Sequence, residues 1–283
     1  MNKIILVGID FSDCSVNALE HAVSLADKAH ADIKMLWVNK PDNTRNLYDI
    51  ASDEVLLEAE KRLQGMASKY QARLTNGKID FITRKGKVYK ELVAAAEEFD
   101  VFLIMIGTHG SSGFEEFWIG SNANRIVTAT ERPVITIRGG VDINRTIERI
   151  VMPIDSTLES RQKVPITALI AKYYNAEVHV LATHITTVKD VRERIMEYIK
   201  QAERYLEENQ IRFVIKEIEA GNISDSVIEY ATAVNANLIS IMDEQEKAAA
   251  NIWLGPYAQQ MVNHSPIPVL VVHAKNYIAG IAM

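Results

Sequence analysis

The chain repeats itself. KIILVGIDFSD at Lys3–Asp13 returns as RIVMPIDSTLE at Arg149–Glu159, each a β-branched run ending in Ile-Asp with Ser or Thr two residues on. Adding 145 takes Asp10 to Asp155 and Ser12 to Thr157, and lays Ala31–Val38 over Ala176–Thr183. Farther along the offset is 135. Gly86–Gly107 then lies over Gly221–Met242, Phe117–Gly120 over Ile252–Gly255, and Arg132–Ile135 over Ile267–Leu270. The change of offset fits a shorter connection after the second strand of copy two, where copy one carries Lys40–Ser52. Register kept over segments so dispersed identifies a duplication. The copies are assigned to residues 1–140 and 146–283, with the GlyGly-containing stretch Arg138–Arg145 as linker. A length of 283 residues suits two domains of ordinary size.

Each copy reads β-α-β-α-β-α-β-α-β. The strands of copy one are expected near Ile4–Ile9, Asp32–Val38, Lys78–Arg84, Val101–Ile106 and Val134–Arg138. They are continuous apolar runs rather than alternating ones, as a parallel sheet covered on both faces requires. Amphipathic stretches lie between them, such as Val88–Phe99, with Val88, Leu92, Ala95, Ala96 and Phe99 at helical spacing. The fold class is therefore α/β, as two tandem Rossmann-like doubly wound domains. Each is expected to carry a five-stranded parallel sheet in order 3-2-1-4-5 with helices on both faces. Pro165 stands where copy one has Glu20, so the first helix of copy two is expected to start late or kink.

Composition excludes several classes of partner. Net charge is −6 with no Lys/Arg cluster, which argues against nucleic acid. No apolar run is long enough to cross a bilayer. The N-terminal apolar run, Ile4 to Ile9, is followed by Asp10 and Asp13 and reads as a first strand rather than a signal peptide. A single cysteine, Cys14, excludes an internal disulfide framework and suits the cytoplasm.

The chemistry gathers after the fourth strand of copy one. Gly107-Thr108-His109-Gly110 is followed, nine residues later, by Gly120-Ser121. Ligands of open α/β sheets bind at the carboxyl ends of strands, where strand order reverses. Anions there use bare backbone N–H groups and a helix N-terminus. Gly107 and Gly110 would let the main chain approach a ribose-phosphate, and Gly120 would allow a tight turn into a helix beginning near Ser121. Ser121 and Asn122 are both helix-capping types, and the Ser121 hydroxyl can also reach a phosphate oxygen.

The spacing G-x2-G-x9-G-[ST] over Gly107–Ser121 resembles the ATP-binding motif of universal stress proteins, and ValGlyIleAspPheSer resembles their first-strand signature. The resemblance spans both copies, with copy two the weaker match. It implies ATP, or ADP or AMP, with a triphosphate on Gly110, Gly120, Ser121 and Asn122 and Gly107 beside the ribose. Asp10, with Ser12 two residues on, occupies the family's acidic position near the nucleoside, and the Val38 backbone would meet the adenine edge. Mg²⁺ would be held through phosphates. The resemblance also implies a regulatory role under stress rather than a metabolic reaction.

Plainer readings stand beside these. Asp10 can serve a helix end or turn as well as a ligand. His109 has no evident partner for acid-base work, so no catalytic residue is named, and the seven histidines show no metal-ligand spacing. Trp118 and Trp253 recur at matching positions, which argues for packing. Glu193–Glu208 reads as the solvated face of a long helix, and Asp243 and Glu244 as loop carboxylates in water. In copy two, Gly107 and Gly110 become Met242 and Gln245, Gly120 becomes Gly255, and Ser121 becomes Pro256, which has no N–H. Copy two is therefore not expected to hold a triphosphate. The last strands, Val134–Arg138 and Val269–His273, are expected at sheet edges, which favours an intramolecular pseudo-dimer of the copies. Whether two chains then pair as a homodimer is left open. Two other functions compete with a slow or inactive nucleotide-binding regulator. One is an ATP-hydrolysing or nucleotidyl-transferring enzyme on the same fold; against it, no Walker lysine follows the glycines. The other is a ligand-free interaction scaffold.

Overall fold

The apolar runs of copy one become five strands: β1 (Ile4–Ile9), β2 (Asp32–Asn39), β3 (Ile79–Lys85), β4 (Leu103–Gly107) and β5 (Val134–Ile137). Between them lie α1 (Asp13–Ala29), α2 (Ile50–Gln71), α3 (Val88–Glu98) and α4 (Ser121–Ala129). The computed structural model describes residues 2–40, 50–108, 120–138, 146–243 and 254–274. It divides into two units, Met1–Arg145 and Thr146–Met283.

The sheet of the first unit runs β3-β2-β1-β4-β5, all parallel. Ile5, Leu6 and Val7 at its centre are fully buried, as are Leu103 and Ile104 beside them. Burying both faces of a strand favours apolar side chains at successive positions, hence the largely continuous apolar runs. The direction of winding reverses between β1 and β4, which puts the later helices on the opposite face from the earlier ones. α1 lies against β1 and β4, while α3 and α4 pack on each other.

The second unit repeats the plan. Its strands are β6 (Arg149–Ile154), β7 (Glu177–His184), β8 (Phe213–Glu219), β9 (Leu238–Asp243) and β10 (Val269–His273). Its helices are α5 (Val164–Tyr174), α6 (Lys189–Glu208), α7 (Ile223–Ala233) and α8 (Pro256–His264). The parallel order is β8-β7-β6-β9-β10. α6 buries Ile195, Tyr198, Ile199, Ala202 and Leu206 and turns its charges outward.

The copies differ most at their first helix. α1 starts at Asp13, whereas the matching chain at Leu158–Arg161 is a 3₁₀ turn and α5 begins only at Val164, with Pro165 in its first turn. Proline has no N–H to give and is tolerated only in a helix's first turn, so it sets the later start.

Candidate functional site

The β1–α1 turn is held by a short chain of hydrogen bonds. The N–H of Ser12 donates to Asp10 Oδ1 at 3.0 Å, and its hydroxyl donates to the same oxygen at 2.5 Å. Ser12 Oγ accepts from the Ser15 N–H, so Ser12 is the N-cap of α1. Ser15 in turn donates its hydroxyl to the Ser12 carbonyl at 2.9 Å and accepts the Asp10 N–H at 3.3 Å. Phe11 between them sits in the left-handed region at φ 65°, uncommon for a residue with a bulky side chain. Its ring centroid lies 6.4 Å from that of Trp37, and the Arg62 guanidinium stands 4.0 Å over it. Packing on two sides offsets the cost of that backbone.

A crevice opens because β1 and β4 part company. Their pairing runs from Ile5↔Leu103 to Val7↔Met105, yet β1 continues to Ile9 and β4 to Gly107. On the other side, β1 and β2 pair as far as Ile9↔Trp37, so Val38 lies one residue past β1's reach. Past β4, the Thr108 N–H donates to the Ile137 carbonyl at 2.9 Å, and the Gly120 N–H donates to the Thr108 carbonyl at 2.7 Å. That second bond brings the start of α4 back onto the end of β4. Gly120 is the N-cap, so Ser121 and Asn122 occupy the first helical positions rather than the capping one. The unpaired N–H groups of a helix's first turn point out of its end, with the positive pole of its dipole.

The result is a cleft of about 220 Å³ at the switch point. Asp10, Val38, Gly107, Gly120, Ser121 and Asn122 all line it. Ser12 does not: it acts on the cleft through Asp10 and the helix cap. Gly110, His109 and Trp118 lie outside the described residues. Sequence reasoning missed Ser15, Trp37, Lys40 and Thr108, which also border the space. Lys40 had a readable signal, since it follows Val38 by two at a strand's carboxyl end. Ser15 had another, because the 145 offset takes it to Ser160.

Gly107 has a second reason to be glycine. A Cβ there would stand 2.8 Å from Cys14 Cβ and 3.0 Å from the Cys14 carbonyl oxygen. The start of α1 is packed on bare β4 backbone, so part of the glycine pattern serves helix–strand packing rather than ligand approach.

In the second unit a cleft of about 240 Å³ lies at the equivalent place, bordered by Asp155, Thr183, Ile223, Met242 and Tyr257. Asp155 and Thr157 repeat the first turn's geometry, with the Thr157 N–H and hydroxyl donating to Asp155 Oδ1 at 2.7 and 2.5 Å. Met242 fills the Gly107 position, and Pro256 is the first residue of α8 after the Gly255 cap. Asp243 is not the solvated loop carboxylate that its sequence suggested. It ends β9, is 2% exposed, and receives a hydrogen bond across 3.0 Å with Nδ1 of the buried His273. β10 brings His273 alongside, a pairing that no local spacing announces. Glu244, Gln245 and Trp253 lie outside the described residues.

With this geometry in hand, comparison places the chain among known proteins. The sequence matches the Universal stress protein family over residues 1–138 and again over 146–273. It is 31% identical over 149 residues to universal stress protein YxiE of Bacillus subtilis, an alignment covering 48% of this chain and 99% of that one. A crystal structure of a universal stress protein from Archaeoglobus fulgidus superposes with a TM-score of 0.78 at 20% identity, covering 96% of this chain and 98% of the other. A functionally unknown protein from Pseudomonas aeruginosa gives a TM-score of 0.66 at 16% identity, with 96% and 93% covered. These last two likenesses speak to the tandem fold.

Proposed function

The chain belongs to the universal stress protein family, and from that premise we propose that its first unit binds ATP, or ADP or AMP, as a regulatory protein of the stress response. One observation carries the reading: the cleft at the β1/β4 switch point gathers an acidic side chain, a strand-end backbone and a glycine-led helix N-terminus within one space. Each suits a different part of a nucleotide. Asp10 would meet the ribose hydroxyls, Val38 the adenine edge, and Gly120 to Asn122 the phosphates, through N–H groups and the Ser121 hydroxyl. Gly107 and Gly110 would border the ribose and phosphates. A volume of about 220 Å³ is below the roughly 300–1,000 Å³ of sites that enclose a whole drug-sized ligand. Part of the nucleotide would therefore extend beyond the enclosed volume.

The residues suit a triphosphate carrying its own metal. Among the described residues no three His, Cys, Asp or Glu side chains gather as a metal site. Mg²⁺ would depend on phosphate oxygens and retained waters. They also suit slow turnover or none. Asp10 is the carboxylate bordering the cleft, and its Oδ1 is already engaged by Ser12. In this reading Asp10 meets the ribose, away from the phosphates where a water would have to be activated.

The proposed setting is the cytoplasm, on the strength of the single cysteine. No helix among the described residues is long and apolar enough to cross a membrane. The proposed assembly is a pseudo-dimer of the two copies through their last strands, by the edge-covering argument. Mass spectrometry of ligand released from gently purified protein tests the reading: adenine nucleotide supports it, and none retained or rebound favours a scaffold.

A further inference from the structure

Gly8 runs against what a buried strand favours. It lies in β1, the middle strand of the first sheet, after the fully buried Ile5, Leu6 and Val7 and before Ile9, itself 4% exposed. Glycine in a strand interior costs backbone entropy and contributes no packing, and it often marks a bulge or a close approach. Gly8 makes no bulge: it pairs in register with Leu36 and has no positive φ. Nor does it yield to a neighbouring backbone, as Gly107 yields to Cys14. A Cβ at Gly8 would meet side-chain ends, Leu92 Cδ1 at 3.0 Å and Ile106 Cγ2 at 3.3 Å. Gly8 is half-buried between closed-off neighbours, and it borders the first cleft together with Leu92 and Ile106. In copy two the same position is Pro153, which is buried and borders the second cleft. The missing side chain is therefore no requirement of the fold; it belongs to the first cleft.

Side chains alternate across a strand, so Gly8 shares one face of the sheet with Leu36 and Val38, the face on which Leu92 of α3 packs. We propose that Gly8 is the residue that admits the base: the flat ring of the nucleoside lies on the bare β1 backbone, in the room that Leu92 and Ile106 leave. The proposal rests on the nucleotide reading of the first unit, and adds to it the position that decides whether a ring can enter. A planar ring approaches a glycine closely on one face, where a Cβ would hold it off. Leu36, Val38, Leu92 and Ile106 supply apolar contact around it, and Asp10 follows Gly8 by two residues, toward the ribose. Pro153 takes this place in copy two, so base binding is lost there independently of the phosphate cradle.

ATP and adenosine are each titrated into the intact chain and its variants by calorimetry, beside a thermal melt. Gly8→Ala should weaken both ligands by the same factor, at least about tenfold, since the change lies at the end they share. Removing what the new Cβ meets should undo the loss, so Gly8→Ala combined with Leu92→Ala is expected to recover most of the affinity. Leu92→Phe keeps Gly8, fills the same room from α3, and should weaken both ligands alike; it decides the matter if Gly8→Ala does not fold. Unchanged ATP affinity in Gly8→Ala, a loss for ATP that adenosine does not share, or no recovery in a folded double variant would each overturn the proposal and leave the nucleotide reading standing. A wild-type chain that binds neither ligand would overturn both.

Discussion

The backbone N–H of Gly120 donates to the carbonyl of Thr108 at 2.7 Å, and a Cβ on Gly120 would stand 3.1 Å from that same oxygen. This single link closes the turn that sets the first helical residues, Ser121 and Asn122, at the cleft. Gly120 has φ −58°, so a substitution meets crowding rather than backbone strain. Gly120→Val should therefore crowd this link and shift the first-turn N–H groups of α4 without straining the backbone at position 120. Nucleotide affinity is expected to fall at least about tenfold, or 1.4 kcal/mol. Calorimetry beside a thermal melt checks this; unchanged affinity removes the loop from the site.

The two Asp–Ser/Thr turns look alike but should not cost alike to break. Ser12 caps α1 with its hydroxyl, whereas Thr157 precedes a 3₁₀ turn and makes no side-chain cap bond. Ser12→Ala should destabilise the chain by about 1 kcal/mol, the ordinary worth of a cap, and Thr157→Ala by clearly less. Chemical denaturation of both variants measures the difference. Ser12→Ala should also weaken nucleotide less than Asp10→Ala, because Ser12 works through Asp10. Equal costs at Ser12 and Thr157 would contradict the capping assignment.

Lys40 is exposed and borders the cleft two residues past Val38, and its long side chain carries a charge that the phosphates of ATP would feel and adenosine would not. Lys40→Gln should weaken ATP by roughly threefold to tenfold and leave adenosine unchanged. Exposed charges are screened over about 8 Å at physiological ionic strength, so the difference should shrink as salt rises. A loss shared equally by ATP and adenosine would mean that Lys40 acts on the nucleoside end or on the fold.

Turnover should be slow. With Asp10 set at the ribose end of the cleft in this reading, away from the phosphates, phosphate release by protein freed of contaminating ATPase is expected well below the roughly 1–10³ s⁻¹ of ordinary enzymes. Sustained release near 10 s⁻¹ would establish the enzyme alternative.

The fold was legible because duplication and hydrophobic periodicity are properties of whole segments. Ile4–Ile9 and its partners had to be buried on both faces, and Pro165 alone forecast the late start of α5. Much of the site was legible for the same reason, since the ends of parallel strands gather Asp10, Val38 and Gly107 whatever the loops do. What escaped depends on where side chains point in irregular backbone. Ser12 turned toward Asp10 and the helix end, not the cleft. Lys163 is buried at the N-cap of a helix that starts only at Val164. Asp243 found His273 only through the pairing of β9 with β10, thirty residues apart in the chain. Gly107 carried two meanings at once, as cleft lining and as the seat of Cys14.

The central claim is that one copy binds nucleotide and the other does not, because Met242 and Pro256 replace the glycine and serine of the cradle. Calorimetric titration of the intact chain with Mg-ATP tests it most directly. About one site per chain is expected, lost in Gly120→Val and kept in Met242→Ala. Two equal sites, or one site that survives Gly120→Val, would contradict it.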